Sequence, residues 1–275
     1  MQIITLTTDM GSRDHYVAVV KGSLLRLLPT ANIVDISHDI APFSNAQTAF
    51  VLRNAYPSFP EGTVHLIGVN PEADEHTPHV IVQSGGQYFV GADNGLFGLL
   101  FPERPDHVFK LDLPTGEADH SFPMRGVLAK AAAHLASGKD IAEISVEVDG
   151  VRQQLGFNPA ADSESIRGAV IHIDGYGNVV TNIPRELFER IGGSRPFSIT
   201  FGRSQYDIDE ICNTYGDVPQ GERVALFGSS GLLEIAVNKG VEGSGGGAAR
   251  LFGLHVQDPV RVEFDEVASA GRVGS

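Results

Sequence analysis

Two apolar spacings alternate along the first half of the chain. Ile3, Ile4 and Leu6 form a short apolar run that ends at Asp9, and Gly11 supplies a bend. Val17, Val20, Leu24, Leu27 and Leu28 then recur at helical spacing until Pro29. This pattern predicts a strand, a tight turn and a helix that begins at once. Further strand-like runs lie near Asn32–Ile36, Thr63–Val69, Val80–Gln83 and Tyr88–Val90. Ser44 and Gln47 stand at capping-box spacing ahead of Ala49, Phe50 and Leu52, which predicts a second helix. A third runs from Gly126 to Ala136 and is ended by Gly138. Such alternation predicts an α/β domain over residues 1–156, with a mostly parallel sheet flanked by helices.

The stretch from Phe157 to Ser165 is polar, carries Pro159 and lacks periodicity, so residues 157–167 are expected to form a linker. Beyond it strand signals dominate: Ala169–Ile173, Asn178–Thr181, Ser198–Phe201, Arg223–Phe227, Leu232–Val237 and Val260–Phe264. These predict a smaller C-terminal β-barrel-like domain over residues 168–265. The glycine run Gly243–Gly247 is expected to be a loop, and residues 266–275 a flexible tail. No internal repeat is present.

The composition narrows the functions open to such a chain. Its 275 residues carry a net charge of -14, which argues against nucleic acid as a partner, because phosphate binding needs clustered Lys and Arg. The single cysteine, Cys212, excludes an intrachain disulfide framework and fits a reducing cytoplasm. No apolar run approaches the roughly 18 residues of a membrane span, and with no basic stretch followed by an apolar one at the start no signal peptide is expected. A phosphate-binding loop ending in Lys-Ser/Thr, a G-x-G-x-x-G turn and zinc-ligand spacing are all missing. Gly228-Ser229-Ser230-Gly231 falls one residue out of step with a serine nucleophile elbow.

What remains is the turn Asp9-Met10-Gly11-Ser12-Arg13-Asp14, two carboxylates where an open α/β sheet binds ligands, at the carboxyl end of a strand. Such acids suit a ligand with hydroxyls to hydrogen-bond and a positive charge to balance. They would equally suit a helix start, with Asp9 as cap and Asp14 in the first turn. Ile33–His38 and Gly91–Leu96 are further strand ends that finish in polar groups. Asp174-Gly175-Tyr176-Gly177-Asn178, in the second domain, mixes a carboxylate, an aromatic ring and a carboxamide, a pairing suited to stacking on and reading a base.

With Tyr56-Pro57-Ser58-Phe59-Pro60-Glu61-Gly62-Thr63-Val64, these fragments, in this order, resemble the S-adenosylmethionine (SAM) hydroxide adenosyltransferase family, which also contains fluorinating and chlorinating enzymes. The resemblance extends from about Ile3 to about Phe264. It implies an N-terminal α/β domain, a C-terminal β-barrel-like domain and a homotrimer with ligand sites between subunits. It further implies that Asp9 binds the two ribose hydroxyls and that Phe43 lines the ribose pocket. Asp14, Asp174 and Ser229 are placed by it near the methionine moiety, with Tyr176, Asn178 and Tyr215 at adenine. Phe122 and Asn70 fall at further pocket positions. No metal or cofactor is expected, SAM being substrate or ligand.

The chain departs from the family's hydrolases at the catalytic centre. Where they carry an Asp, Arg and His triad, this chain has Asn70, Thr77 and Pro123. None of these is a base at neutral pH. The small residues of the halogenases' pocket are not restored either, since Ala73 and Met124 occupy those positions. Glu72, Asp74, His76 and His79 crowd the altered loop, and Asn70, Glu72 and His76 are the candidate catalytic groups. A sulfonium leaving group needs no protonation, and in-line positioning is worth up to ~7–11 kcal/mol against roughly 3–5 kcal/mol for acid–base assistance. The expected activity is therefore hydrolysis of SAM to adenosine and methionine, the alternative being a SAM- or adenosine-binding protein without catalysis. A looser similarity to calcium-dependent nucleoside hydrolases fails at Thr7 and Arg13, where that site wants carboxylates.

Overall fold

The structure is a computed structural model that describes residues 2–114, 116, 121–154, 156, 158–202, 206–240 and 247–265. Residues 243–246 of the expected glycine loop and the expected tail 266–275 lie outside the described residues. The chain divides into two compact units, Met1–Gly156 and Phe157–Ser275. Among the described residues no helix is long and apolar enough to cross a membrane.

Unit 1 is built on seven strands: β1 (Ile3–Thr8), β2 (Asn32–Ser37), β3 (Val64–Gly68), β4 (His79–Ser84), β5 (Gln87–Ala92), β6 (His107–Leu111) and β7 (Ser145–Val148). They lie in the order β2-β1-β3-β5-β4-β6-β7. All six residues of β1 are buried, because it sits between β2 and β3 with helices on both faces. Ile4 and Leu6 pack with Val20 and Leu24 of α1 (Tyr16–Leu27). The opposite face carries Ala49 and Leu52 of α2 (Asn45–Ala55) in a second cluster with Phe89 and Phe97.

The sheet is mixed rather than mostly parallel. β2, β1, β3 and β5 run parallel, whereas β4, β6 and β7 join antiparallel. The runs that became β4 and β5 carry no helix between them. Gly85 and Gly86, at φ +57 and +73, turn the chain straight back, the backbone that a two-residue hairpin turn requires. β1 pairs with β2 on one side and with β3 on the other, so successive connections leave it in opposite directions. The carboxyl end of β1 is therefore the switch point where open α/β sheets place ligands.

Local signals at the helix ends are partly met. Ser44 Oγ accepts from Gln47 N at 3.3 Å, but the Gln47 side chain accepts from Ala41 N at 2.8 Å instead of closing the box. α1 begins at Tyr16, just ahead of Val17 where the apolar spacing starts, and not directly after the Gly11 bend as expected. Gly11, at φ +66, donates its N–H to His38 O at 2.7 Å. That bond draws the chain across the end of β2 before a helix can form.

Unit 2 contains β8 (Ala160–Ala161), β9 (Ser165–Ile173), β10 (Val179–Pro184), β11 (Phe197–Phe201), β12 (Asp207–Ile208), β13 (Ile211–Cys212), β14 (Arg223–Phe227), β15 (Leu232–Val237) and β16 (Pro259–Phe264). Of the segment expected as a linker, β8 and the first residues of β9 are thus paired strand. The order is β12-β11-β16-β9-β10-β15-β14-β13, antiparallel except for β13 on β14. The sheet curls so that β12 returns beside β14, where Arg223 Nε donates to Asp207 O at 2.9 Å. Inside the curl, Phe188 of the helix Arg185–Gly192 packs edge-on against Phe197, Phe227 and Phe264.

Candidate functional site

Neither acid of the first turn serves the helix that follows it. The residue before α1 is His15, no side chain caps that end, and the first turn of the helix holds no acid. Asp9 instead accepts the Phe43 backbone N–H on Oδ2 at 3.0 Å. Its Oδ1 has no partner among the described residues, and Asp14 is exposed with none. Phe43 sits at φ +63, a conformation costly for a bulky L-residue, and its ring is 69% exposed. A strained aromatic backbone is thus held by the same carboxylate that keeps one oxygen free.

His38 braces this arrangement from the end of β2. Its Nδ1 lies 2.8 Å from Thr8 Oγ1, at the last residue of β1, and its carbonyl holds Gly11. Nε2 is 3.1 Å from Asp35 Oδ1 but misaligned for a hydrogen bond. Asp35 in turn accepts from Lys21 Nζ at 2.6 Å. Burial works to raise the Asp35 pKa, but its partners Lys21 and His38 outweigh this and hold it below the usual value. Strand, turn and the 38–43 segment are therefore fixed together before any ligand arrives.

The neighbouring strand ends behave differently. Asp93, at the end of β5, is consumed by structure: both carboxylate oxygens accept Arg152 N, at 2.9 and 3.0 Å. Burial, the largest influence, raises its pKa. Asn70 follows β3 at φ +47, a left-handed position that Asn tolerates. Asn94 Nδ2 holds the carbonyls of Val69 and Asn70 at 3.2 and 3.0 Å, while the Asn70 side chain has no partner among the described residues.

In the altered loop, Asp74 Oδ1 accepts from His76 N, Thr77 N and Thr77 Oγ1 at 2.7–2.8 Å. Thr77 and Asp74 are thereby committed to a turn. His79 Nε2 is tied to Pro71 O at 2.8 Å, and burial lowers its pKa. Glu72 and His76 point to solvent. Pro123 is buried, and its carbonyl accepts Gly126 N and Leu128 N at 3.1 Å, opening the helix Val127–Ala136. Met124 is fully buried against Gly68. Phe122 is half-buried and meets the Tyr16 ring edge-on at 5.7 Å.

Unit 2 gathers its predicted residues at one end of the sheet. Asp174 builds the β9–β10 turn: Oδ1 accepts Tyr176 N and Asn178 N, and Oδ2 accepts Asn178 Nδ2 at 3.0 Å. Tyr176 projects from this turn, 84% exposed. Tyr215 donates its hydroxyl to Glu234 Oε1 at 2.6 Å. Gly228 lies directly against Glu234 Oε2, and Ser229 beside it is exposed. The Gly228–Gly231 segment is a β14–β15 hairpin turn, which accounts for its mismatch with a nucleophile elbow. Glu234 was not singled out from the sequence, although a lone acid inside Leu-Leu-Glu-Ile-Ala-Val is a signal in itself. Two open cavities of about 310 and 330 Å³, one beside Asp162 and Arg261 and one beside Cys212 and Glu222, include none of the predicted site residues.

Fold and site define a two-unit α/β protein with, at a sheet switch point, a carboxylate that keeps one oxygen without a partner among the described residues, and an aromatic–carboxamide turn on its second unit. The SAM hydroxide adenosyltransferase N-terminal domain model matches residues 4–145, and the C-terminal domain model matches residues 168–261. An (R)-S-adenosyl-L-methionine hydrolase of Thermus thermophilus is 34% identical, covering 95% of this chain and 100% of that protein. Another, of Salinispora tropica, is 31% identical over 94% of this chain and 97% of its own. A fluorinase of an Actinoplanes species is 25% identical over 86% and 91%. Among solved structures, an uncharacterized conserved protein from Thermotoga maritima is 28% identical, with a TM-score of 0.82 over 94% of this chain and 99% of that one. The chain belongs to the SAM hydroxide adenosyltransferase family.

Proposed function

We propose that this protein binds SAM and hydrolyses it to adenosine and methionine. The observation that carries the reading is the Asp9 carboxylate at the end of β1, anchored to Phe43 N by one oxygen with the other free. A vicinal diol offers two donors to such a group. Asp9 takes the ribose hydroxyls and the Phe43 ring closes over the sugar. Phe122 extends the wall, and Asp14, Asp174 and Ser229 receive the methionine amino group. Tyr176, Asn178 and Tyr215 hold adenine. Assembly of a cytoplasmic homotrimer with these sites between subunits is part of the same reading, and no metal or cofactor enters it.

The reaction is a displacement at the ribose 5′ carbon. A water oxygen forms a bond to C5′ as the C5′–sulfur bond breaks, the electron pair leaves with methionine, and the proton passes to solvent. No general base is needed for a sulfonium to depart, so the work falls on alignment. Asn70 is the group placed to hold that water, since its side-chain amide has no other partner among the described residues. Thr77 and Pro123 are occupied by turn and helix-start hydrogen bonds, and neither Glu72 nor His76 is required.

Incubation of the purified protein with SAM, followed by chromatography, is expected to release adenosine and methionine in equal amounts. Binding of SAM without product would overturn the hydrolase reading. A second expectation separates strain from function at Phe43. Phe43→Gly should leave stability unchanged or raise it by up to about 1 kcal/mol, because the left-handed backbone no longer carries a side chain. The same change should raise KM for SAM roughly tenfold by removing an aromatic wall worth about 1–1.5 kcal/mol. Loss of stability together with an unchanged KM would contradict the assignment.

A further inference from the structure

Glu234 is a carboxylate where the sheet pattern calls for an apolar residue. It lies opposite Val180 of β10 and Leu226 of β14, in the middle of the sheet, and is 7% exposed. Its neighbours Leu233 and Ile235 enter the core of the curl. Glu234 and Ala236 face the other side, where Ala236 packs with Cys212, Val224 and Leu226 under Val218. Burying a carboxylate there is costly unless it has partners. Among the described residues its one hydrogen bond is the Tyr215 hydroxyl on Oε1, and Oε2 has no donor. Burial, then the bond to Glu234, raises the Tyr215 pKa, so its phenol remains a donor. Burial raises that of Glu234 too, with the charge of Asp174 adding to it.

Tyr215 is held at its other end as well. The 3-10 turn Tyr215–Asp217 is closed by Asp217, which accepts Asn213 N, Thr214 N and Thr214 Oγ1 at 2.8–3.0 Å. The backbone is thus fixed by Asp217 and the ring tip by Glu234, yet the residue is 40% exposed. An aromatic pinned at both ends with its flank open is a pre-organised platform, because the entropy of ordering it is spent in folding and not on binding.

We propose that Glu234 is a positioning residue whose bond to the Tyr215 hydroxyl fixes that ring as the platform for the purine of the substrate. The proposal rests on the reading of Tyr215 as an adenine contact. What matters in it is an acceptor at the position of Oε1, so a neutral amide there should serve as well as a carboxylate.

The test compares Tyr215→Phe, Glu234→Leu, Glu234→Gln and Tyr215→Ala, with SAM turnover and adenosine calorimetry as readouts. Tyr215→Phe and Glu234→Leu should each raise KM for SAM and Kd for adenosine by roughly tenfold, the scale of one lost hydrogen bond, with kcat within about threefold. The double variant should be no worse than either, because both remove the same bond. Glu234→Gln should stay within about twofold of the parent by keeping the acceptor. Equal impairment of Glu234→Gln and Glu234→Leu would overturn the proposal in favour of a charge effect. So would parental affinity in Tyr215→Phe, a change that leaves the ring packing in place and is readable even if Glu234→Leu fails to fold. Parental affinity in Tyr215→Ala would instead remove the adenine assignment itself.

Discussion

Asp9→Ala is expected to raise KM for SAM by about 10²–10⁴-fold, the consequence of losing two charge-assisted hydrogen bonds worth about 1.5–3 kcal/mol each. The same change frees the Phe43 N–H, whose one acceptor among the described residues is the lost carboxylate. Two contributions to binding therefore fall together, the diol contact and the fixed position of the Phe43 ring. The fold should survive, because Asp9 lies at the end of β1 and makes no contribution to the core clusters. Melting temperature without ligand should shift by only a few degrees, whereas the stabilisation by adenosine should vanish. Asp9→Asn should fall between, since one amide oxygen still accepts Phe43 N while the NH₂ group meets the diol with the wrong polarity. Intact adenosine-dependent stabilisation in Asp9→Ala would mean that the ribose is held elsewhere.

The second large effect is on stability and comes from His65. Its ring is fully buried on β3, stacked 4.6 Å from Phe89, with Nδ1 at 2.8 Å from Thr5 Oγ1 and Nε2 at 2.7 Å from Gln87 Oε1. Burial pushes its pKa down from 6.5 to about 4, only partly opposed by the bond to Gln87. The folded chain keeps the ring neutral, while the unfolded chain takes up a proton below about pH 6.5. Stability is accordingly complete above that pH and is lost as pH falls toward 4, by about 3 kcal/mol at roughly 1.4 kcal/mol per pH unit. Burial lowers the pKa of His79 and of His172 in the same sense. Urea unfolding at pH 7, 5.5 and 4.5 should show this fall in the parent. His65→Gln should start less stable at pH 7 but lose distinctly less on acidification. Parallel pH profiles for the two proteins would contradict the buried neutral ring.

The acid turn was legible because its signal is local: an apolar run, an acid and a glycine in direct succession. Ser44 as a cap and the alanine-rich helix before Gly138 were legible for the same reason. The mixed sheet was not, because β4 and β5 taken singly look like any buried strand. Only the four residues from Ser84 to Gln87, too few for a helix, distinguish a hairpin from a crossover. β6 and β7 were missed because they are short and lie on the far side of the sheet, where Val146 and Val148 remain exposed. The start of α1 beside Val17 was encoded by the periodicity, whereas the non-helical stretch after Gly11 was not, because Gly11 there meets His38, a contact between distant parts of the chain.

Within the site, residue types were easier to read than their employment. Asp93 and Asp9 look alike in sequence, each an acid after a strand beside a glycine. One is satisfied by Arg152 N through both oxygens, and the other keeps an oxygen free. Thr77 and Asp74 are turn builders, which the crowding of polar groups in that loop could not reveal. Glu234 went unread because the strand around it is so apolar, although that contrast marks it as unusual.

The central claim is that water displaces methionine at the ribose 5′ carbon, and oxygen isotopes test it most directly. The reaction is run in water enriched in ¹⁸O, and both products are weighed by mass spectrometry. The account predicts one heavy oxygen in adenosine, at its 5′ position, and none in methionine. Unlabelled adenosine, or a label carried by methionine, would contradict it.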